Sequence, residues 1–478
     1  MTHRSLKRTL MGLCALVSAS VACVHESGEA AAPSLARSRP PQANSAPTIP
    51  DRDLEAALAE AVLGVDAPAL RELLRRHWAW NLEHHPLEAT RLGVHAYDDR
   101  LAQLSPQVID QEGRDLRAFL AQAVAIDRAT LGERDRETLA IFEAELRAQI
   151  GGEICELQTW MLSSAHNPVA QWNYLPDLQP VTTPEEGRRY IARVRAIPAL
   201  IRAQNALLAD GLVAHRVTTR ESARRAREML GRQLAQPLAE WPLMAPAKAS
   251  HAGWTEAQEK TFADELAAAV AEIRPAIAEL TRFIDDTIMD WARSDSESGV
   301  VNLPRGLACY RSQIKLYTSL DRSPEQIHAT GLAEVRRINQ EMRVLGRKLF
   351  GSDDLAQILA SLRDDQSLYF DSGEAVLAAA RAALAAARAR IPEYFGTLPQ
   401  AACIVREIPD YEAPYTYIAY YRHPTPDGSK PGEYFVNTYR PETRPRYEAR
   451  VLAVHESIPG HHLQLAISQE LREMPAFR

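Results

Sequence analysis

Helical periodicity runs through most of this 478-residue sequence and restricts its fold more than any other feature. Apolar residues recur every three or four positions in long runs such as LAAAVAEIRPAIAELTRFI, residues 266–284, and VLAAARAALAAARARI, residues 376–391. This spacing places the apolar side chains on one face of a helix, and strong helix formers stand between them. No fixed-period repeat is found, so a solenoid is not expected. The sequence predicts a mainly α-helical protein whose large helical body spans 51–478.

Two short sequences predict where helices begin. In TPEE, the Thr183 hydroxyl can accept a hydrogen bond from the backbone of Glu186, while the Glu186 carboxylate reaches back to the backbone of Thr183. Pro184 suits the first helical turn because its missing N–H is not needed there. Ser323 and Gln326 repeat this capping box in SPEQ. We therefore expect one helix to start after Thr183 and another after Ser323.

One region departs from the helical pattern. Between Cys403 and Thr438 the chain is rich in β-branched and aromatic residues, in the pieces CIVREI, YTYIAYY and EYFVNT. Proline and glycine separate these pieces, as is typical of turns between short strands. We expect a small β-meander or hairpin that packs on the helical body, immediately before the segment HESIPGHH at 455–462.

Composition and charge exclude some functions. The chain is 46% hydrophobic and 24% charged, which is ordinary for a soluble protein. Its formal net charge of −7 leaves no basic surplus to neutralise phosphates, so nucleic acid is not expected as a partner. The five cysteines include no CxxC pair, which excludes a thiolate zinc cluster and argues against a disulfide scaffold. Cys155, Cys309 and Cys403 are expected to be buried small residues.

The N-terminus has the pattern of an export signal. Basic residues open the chain, and residues 10–22 form an apolar run that is too short for a permanent membrane-spanning helix. The run ends in Ser-Val-Ala-Cys, which resembles a bacterial lipoprotein cleavage box with Cys23 as the acylated residue. Ser20 stands where such boxes usually carry leucine, so plain secretion is the alternative.

We therefore expect residues 1–23 to be a signal peptide. Residues 24–50 are rich in alanine, serine and proline and have little to bury, so they are expected to be a disordered tether. The protein is expected in the periplasm or as a cell-envelope lipoprotein, with the lipid anchor as its one contact with the membrane.

The segment HESIPGHH begins like a zinc-peptidase helix but spaces its histidines differently. In the usual His-Glu-x-x-His pattern the two imidazoles are one helical turn apart and bind one ion. Here the residue four positions after His455 is Pro459. In a straight helix His461 would point about 120° away from His455, and His462 would lie about 10 Å further along the same face.

Pro459 and Gly460 offer a way to bring the histidines together. Proline cannot donate a helix hydrogen bond, and glycine accepts backbone dihedrals that are closed to other residues. Together they can bulge or kink a helix predicted at 446–458 and absorb the two additional residues. His461 then returns to the side of His455.

This segment and others resemble the bacterial family known as domain of unknown function 885, which is similar to the HExxH-type zinc metallopeptidases. The resemblance covers most of the chain from about residue 55 onward. It is carried by HPLEATRLGVHAYDDRL (85–101), LPDLQPVTTPEEGRRYIARV (175–194), LYTSLDRSPEQIHATGLAEVRRI (316–338), YYRHPTPDGSKPGEYFVNT (420–438) and VLAVHESIPGHHLQLA (451–466).

The resemblance implies a zinc ion bound by His455 and His461, with Glu456 as the general base of peptide-bond hydrolysis. His462 is the alternative second ligand. If it is not a ligand, it would donate a hydrogen bond to a zinc ligand or to the transition state. Gly-His is the usual pairing at the second ligand in related helical peptidases, which favours His461. The implied substrates are short peptides.

The resemblance also suggests how a peptide is held. In zinc peptidases of this broad type, an edge strand near the metal helix pairs with the extended substrate backbone. The strand EYFVNT at 433–438 is the candidate, with substrate contacts from Tyr434, Asn437, Tyr439 and Arg440.

A third zinc ligand is not evident in this sequence. Such sites usually take it from a glutamate on a later helix, whereas Glu470 and Glu473 follow His461 on what looks like the same helix. We therefore expect the helical domain at 51–478 to be incomplete at its C-terminus. The alternative hypothesis is a non-catalytic envelope lipoprotein, a binding or scaffold module on a peptidase-like fold. A metallohydrolase of non-peptide amides is a third possibility.

Overall fold

The computed structural model describes residues 54–425, 430–471 and 473–478. The predicted signal peptide at 1–23, its Cys23 and the tether at 24–50 lie outside the described residues. The described part is mainly α-helical, which confirms the predicted fold class. Its α-helices are α1 Leu54–Glu60, α2 Pro68–His84, α3 Pro86–Arg91, α4 Pro106–Val124, α5 Glu133–Gly152, α6 Pro168–Trp172, α7 Leu175–Leu178, α8 Pro184–Val213, α9 Arg220–Ala235, α10 Glu256–Phe283, α11 Met289–Trp291, α12 Gly306–Thr318, α13 Pro324–Leu349, α14 Leu355–Asp364, α15 Gly373–Arg390, α16 Ala449–Glu456 and α17 His461–Glu470.

Shorter helical turns connect these helices. A π-helical turn at Ile284–Ile288 joins α10 to α11. Turns of 3-10 helix lie at His95–Tyr97, Arg128–Thr130, Glu153–Cys155, Leu157–Thr159, Leu238–Glu240, Pro242–Met244, Pro246–Lys248, Asp295–Glu297, Val300–Asn302, Gln366–Leu368, Ile391–Glu393 and Pro441–Thr443. Within the described residues, no helix is both long enough and apolar enough to cross a membrane.

The largest core lies between α8 and α10, which pack along each other, and α9 packs against α10. Its apolar side chains come from the helical stripes that the sequence predicts, among them Tyr190, Val194, Ile197, Leu266, Ile273 and Ile277. Both predicted capping boxes are confirmed. The side chains of Thr183 and Glu186 bond reciprocally with each other's backbone at the start of α8, and Ser323 and Gln326 do the same at the start of α13.

A disulfide joins the 3-10 turn that follows α5 to α12 and corrects one expectation. Cys155 and Cys309 are bonded across 154 residues, with Cα atoms 4.7 Å apart. Spacing alone could not reveal this pair, because packing of α12 against α5 brings the two cysteines together. Both are buried, as expected, and Cys403 is a buried free thiol. Burial raises the pKa of the Cys403 thiol to about 12, so this thiol is uncharged and behaves as a small apolar residue.

The predicted strands form a three-stranded sheet with the order β1-β3-β2: β1 is Cys403–Glu407, β2 is Ala419–Arg422 and β3 is Gly432–Val436. β2 and β3 form the expected antiparallel hairpin. β1 lies on the other side of β3 and runs parallel to it, so the three strands are not a meander. One face of the sheet packs on α15, α16 and α17.

The strand order corrects the predicted role of 433–438. β3 is hydrogen-bonded on both sides, to β1 and to β2, so it is the central strand and has no free edge for a substrate. The sequence pattern cannot show this, because a strand buried on one face looks the same in the middle of a sheet and at its edge.

A buried arginine ties the N-terminal helices to the main core. Arg193 on α8 is fully buried and pairs with Asp98 at 3.4 Å. Its guanidinium also donates to acceptors spread over the segment from α3 to α7: the Thr90 hydroxyl, the Tyr97 and Arg100 carbonyls, and the Gln179 side-chain carbonyl. The turn at His95–Tyr97 is thus part of this structural network.

We expect Arg193→Leu to lower the free energy of unfolding by about 3–5 kcal/mol, because it removes the cation beside the buried Asp98 carboxylate and the hydrogen bonds donated to the Arg100 and Gln179 carbonyls. Arg202→Leu on the same helix is the matched control. Arg202 pairs with Glu279 at the surface, where both side chains are about half exposed, and its loss should cost less than about 1 kcal/mol. Urea unfolding measures both variants, and equal losses would contradict the structural role of Arg193.

His77 makes stability depend on pH. It is buried on α2 among Trp80, Phe119 and Phe142, and neither ring nitrogen has a hydrogen-bond partner within the described residues. Burial, with a smaller effect of the neighbouring His85, lowers the pKa of His77 to about 4. The unfolded chain therefore binds a proton on this histidine near pH 6.5, while the folded chain does not until about pH 4.

We expect His77 to reduce stability by up to roughly 3 kcal/mol as the pH falls from 6.5 to 4, since each pKa unit corresponds to about 1.4 kcal/mol. Urea unfolding of the wild type and of His77→Leu at pH 7 and pH 4 tests this. The variant should lose less stability than the wild type over this interval. The exposed His328→Leu should behave like the wild type, and equal losses in all three proteins would refute the assignment.

Candidate metal centre

The segment HESIPGHH lies at a break between two helices. α16 ends at Glu456, earlier than predicted, and α17 begins at His461. Backbone hydrogen bonds hold the four residues between them: the N–H of Gly460 donates to the Val454 carbonyl at 2.9 Å, and the N–H of His462 donates to the Ser457 carbonyl at 2.9 Å. The chain therefore does not bulge within one helix. It stops one helix and starts another against its last turn.

Gly460 allows this close approach. A Cβ atom at position 460 would lie 1.9 Å from the His455 carbonyl oxygen and 2.5 Å from that of Val454. Both neighbours are backbone atoms of α16, so they cannot move aside as a flexible side chain would. Any residue with a side chain at this position would push the two helices apart.

The break brings three side chains together. The rings of His455 and His461 are 4.8 Å apart between centroids and nearly perpendicular. The Nε2 atom of His461 lies 3.8 Å from a carboxylate oxygen of Glu456. One potential ligand atom from each of the three residues lies within 4.8 Å of the others. Among the residues that the structure describes, this is the one cluster of three or more potential metal ligands.

The three side chains differ in their exposure. His455 is exposed and the side chain of His461 is 43% exposed, whereas that of Glu456 is 11% exposed. Burial raises the pKa of Glu456, and positive charge on His455 or His461 partly opposes this effect. Tyr434 of β3 is close enough for the negative charge of Glu456 to add to the burial that raises the pKa of its phenol. The carboxylate thus lies in a less polar environment than the two imidazoles.

His462 points away from the cluster. It is 1% exposed, and both of its ring nitrogens have protein partners. Nδ1 lies 2.8 Å from the Tyr421 hydroxyl, and Nε2 lies 3.0 Å from the Ala401 carbonyl oxygen. Burial lowers the pKa of His462. Of the two candidate partners for His455, the structure therefore brings His461 next to it. His462 instead contacts Tyr421 and the Ala401 carbonyl.

The residues predicted to contact a substrate have different surroundings. Tyr434 is buried beside Glu456. Asn437 is also fully buried, and its amide donates to the carbonyls of Ala413 and Tyr417, so it holds the chain before β2 in place. Tyr439 and Arg440 are exposed after the end of β3.

Sequence reasoning missed Tyr421. This residue lies on β2, and its ring is nearly parallel to that of His461, with centroids 6.2 Å apart. Tyr421 and Tyr434 are opposite each other in neighbouring strands, so both face the helices. Alternation within AYYR could have separated the two faces of the strand, but only the packing shows which face meets the candidate centre.

The glutamates that follow His461 are engaged elsewhere. The Glu470 carboxylate accepts hydrogen bonds from the backbone of Gln400 and Ala401. Glu473 pairs with Arg134 of α5 at 3.3 Å. Within the described residues, neither carboxylate joins the cluster of His455, Glu456 and His461.

The fold and the site together define a class of protein. It is mainly helical, and a helix that ends in His-Glu abuts a second helix that begins with a histidine. The chain belongs to the family described as "Bacterial protein of unknown function (DUF885)", whose model matches residues 86–478. The match confirms the resemblance seen in the sequence at the level of the family. No curated protein matches the chain.

Two solved structures share the fold. A candidate lipoprotein from Colwellia psychrerythraea is 21% identical and superposes with a TM-score of 0.76, covering 86% of this chain and 74% of that one. A candidate lipoprotein of unknown function from Shewanella oneidensis is 17% identical and has a TM-score of 0.59, covering 85% of this chain and 73% of that one. At these identities the likeness shows the fold alone.

We expect Gly460→Ala to destabilise the protein by about 1–3 kcal/mol, because its methyl group would overlap the last turn of α16. Gly331→Ala is the matched control. Gly331 lies in α13, and beyond the backbone of that helix no atom lies within 4 Å of the place that an alanine methyl group would take. Alanine there should raise stability by about 0.5–1 kcal/mol through helix propensity. Chemical denaturation measures both, and a neutral Gly460→Ala would contradict the close packing at the break.

Proposed function

We propose that this protein is a zinc-dependent hydrolase that cleaves peptide bonds in short peptides in the bacterial cell envelope. The observation that carries the proposal is the convergence of His455, Glu456 and His461 at the break between α16 and α17. The family and the fold are compatible with this activity, and neither specifies it.

The donor atoms suit zinc. Imidazole and carboxylate groups are common zinc ligands. Two nitrogen atoms bound to one tetrahedral zinc ion lie about 3.4 Å apart. The three potential ligand atoms lie within 4.8 Å of one another, so a small rotation of the His455 side chain would bring the two imidazoles into range. His455 is exposed, which leaves its ring room for such a rotation. His455 and His461 would hold the ion.

Glu456 is the proposed general base. Zinc, when bound, supplies a Lewis acid that polarises the scissile carbonyl and lowers the pKa of water. The Glu456 carboxylate lies beside His461 and accepts the proton of the attacking water. Burial raises its pKa, which makes it a stronger base than an exposed glutamate. The same carboxyl then donates the proton to the leaving amine.

The free edge of β2 replaces β3 as the proposed peptide-binding strand. The N–H of Asn437 donates to the carbonyl of Ile418, which immediately precedes β2. Hydrogen-bonded positions alternate along an antiparallel pair of strands, so Tyr420 and Arg422 also point their backbone groups toward β3. Ala419 and Tyr421 therefore point theirs outward, and no backbone partner for them is found within the described part. Because Tyr421 lies beside His461, an extended peptide on this edge would pass close to the candidate centre.

Three observations support a location in the envelope. Residues 1–23 have the pattern of a signal peptide with a lipoprotein cleavage box. The disulfide between Cys155 and Cys309 suits an oxidising compartment. Both structural neighbours are described as candidate lipoproteins. We propose that Cys23 carries the lipid anchor.

One observation favours a second candidate function. Catalytic zinc sites usually have three protein ligands, and within the described residues the cluster of His455 and His461 includes no further potential ligand beyond Glu456, the proposed base. A binding or scaffold module on the same fold would need no complete centre. Hydrolysis of a non-peptide amide would use the same residues and differ only in its substrate.

We expect the purified protein to bind about one zinc ion per chain and to hydrolyse short peptides. Glu456→Gln should lower turnover at least ~100-fold while zinc stays bound, because it removes a base and keeps the side-chain shape. His461→Ala should lose zinc as well as turnover. Metal analysis after dialysis and a fluorogenic peptide assay measure the two properties separately.

His166→Ala is the matched control, since His166 is an exposed histidine in the loop before α6 and is not a member of the cluster. It should retain both zinc and turnover. Undiminished turnover in Glu456→Gln would exclude Glu456 as the base. A wild type that binds no zinc would refute the metal site, and one that binds zinc but cleaves neither peptides nor other amides would support the binding module.

A further inference from the structure

We propose that Tyr421 and His462 form a positioning clamp, which holds the imidazole of His461 toward His455 and Glu456. The inference rests on the proposed zinc site and adds two residues to it. Neither residue of the clamp is a ligand. Both are positioning residues that act through His461.

His462 is fixed by hydrogen bonds at both ring nitrogens. The Ala401 carbonyl can only accept, so Nε2 of His462 must carry the hydrogen that it donates over 3.0 Å. Nδ1 then carries none and accepts the hydrogen bond of the Tyr421 hydroxyl over 2.8 Å. The ring is therefore held in one tautomer and one orientation. With 1% of its surface exposed, it is also shielded from competing water.

The fixed His462 sets the direction of its neighbour. His462 lies in the first turn of α17, and its backbone N–H donates to the Ser457 carbonyl in the break between the helices. The side chain of His462 anchors this turn to the segment before β1 through Ala401. Because His461 immediately precedes it, anchoring this turn prevents α17 from rotating and carrying the His461 side chain away from α16.

Tyr421 acts directly on the His461 ring. The two rings are inclined by 20° with centroids 6.2 Å apart, an offset arrangement of planar groups. His455 meets the same imidazole almost at a right angle. The hydrogen bond to His462 keeps the Tyr421 ring in this place. The imidazole of His461 is therefore bordered by two rings that limit its rotation.

Gly432 makes room for the clamp. A Cβ atom at this first residue of β3 would lie 2.3 Å from the Tyr421 hydroxyl oxygen and 2.5 Å from Nδ1 of His462. The hydrogen bond thus occupies the space that a side chain would fill. Tyr421, Gly432 and His462 come from three different elements, β2, β3 and α17, which meet at this one hydrogen bond.

Zinc affinity of purified full-length variants tests the clamp. Tyr421→Phe keeps the ring but removes the hydroxyl, and Gly432→Ala pushes the two partners apart. Each should raise the zinc dissociation constant by about 10–100-fold, as loss of a supporting contact behind a metal ligand does. The matched control is Tyr417→Phe, a tyrosine just before β2 that is 69% exposed, and its affinity should equal that of the wild type.

A second readout separates positioning from stability. In cobalt-substituted protein, the visible absorption bands report the ligand geometry, so they should shift in Tyr421→Phe and stay unchanged in Tyr417→Phe. Circular dichroism and thermal unfolding show whether each variant is folded under the assay conditions. If both clamp variants are folded, bind zinc within about twofold of the wild type and keep its cobalt spectrum, the inference is wrong.

Nuclear magnetic resonance of histidine-labelled protein without metal keeps this test independent of the proposed function. A wild type that binds no zinc refutes the zinc site. The clamp itself still predicts that His462 carries its hydrogen on Nε2 and that the ring signals of His461 move in Tyr421→Phe. A hydrogen on Nδ1 of His462, or His461 signals that do not move, would overturn the clamp in either case.

Discussion

The contact of Gly460 with the last turn of α16 is the constraint on which the candidate centre depends. With no side chain at position 460, the chain can leave α16 after Glu456 and begin α17 against the carbonyls of Val454 and His455. Two histidines that are six positions apart then lie on the same side. In a continuous helix they would diverge by about 120°, so the convergence of the two imidazoles requires the end of one helix to abut the start of another.

The small sheet supports this break. Its central strand contributes Gly432 and Tyr434, and its outer strand β2 contributes Tyr421, all on the side of the helices. The residues of the candidate centre and its surroundings thereby form an outer layer, which is exposed or partly exposed, and a buried inner layer. His455 and His461 reach toward solvent, while Glu456 and His462 are buried and have restricted surroundings. Such a supporting layer fixes the orientation of ligands.

Some features could be predicted from local sequence because their causes are local. The capping boxes at Thr183 and Ser323 depend on residues within one helical turn. The interruption at Pro459 and Gly460 depends on the backbone properties of those two residues. The disulfide between Cys155 and Cys309 and the central position of β3 could not be predicted, since both depend on segments that are distant in the chain.

The sequence by itself determined that the chain is mainly helical, where two of its long helices begin, and that Pro459 and Gly460 can disturb the helix between His455 and His461. These follow from residue spacing and from the dihedrals that proline and glycine allow. Only the tertiary structure decided that His461 rather than His462 meets His455, because that choice depends on Tyr421 and Ala401, which are 41 and 61 residues away from His462. Side-chain direction at the start of α17 is set by packing against the sheet, which no local pattern encodes.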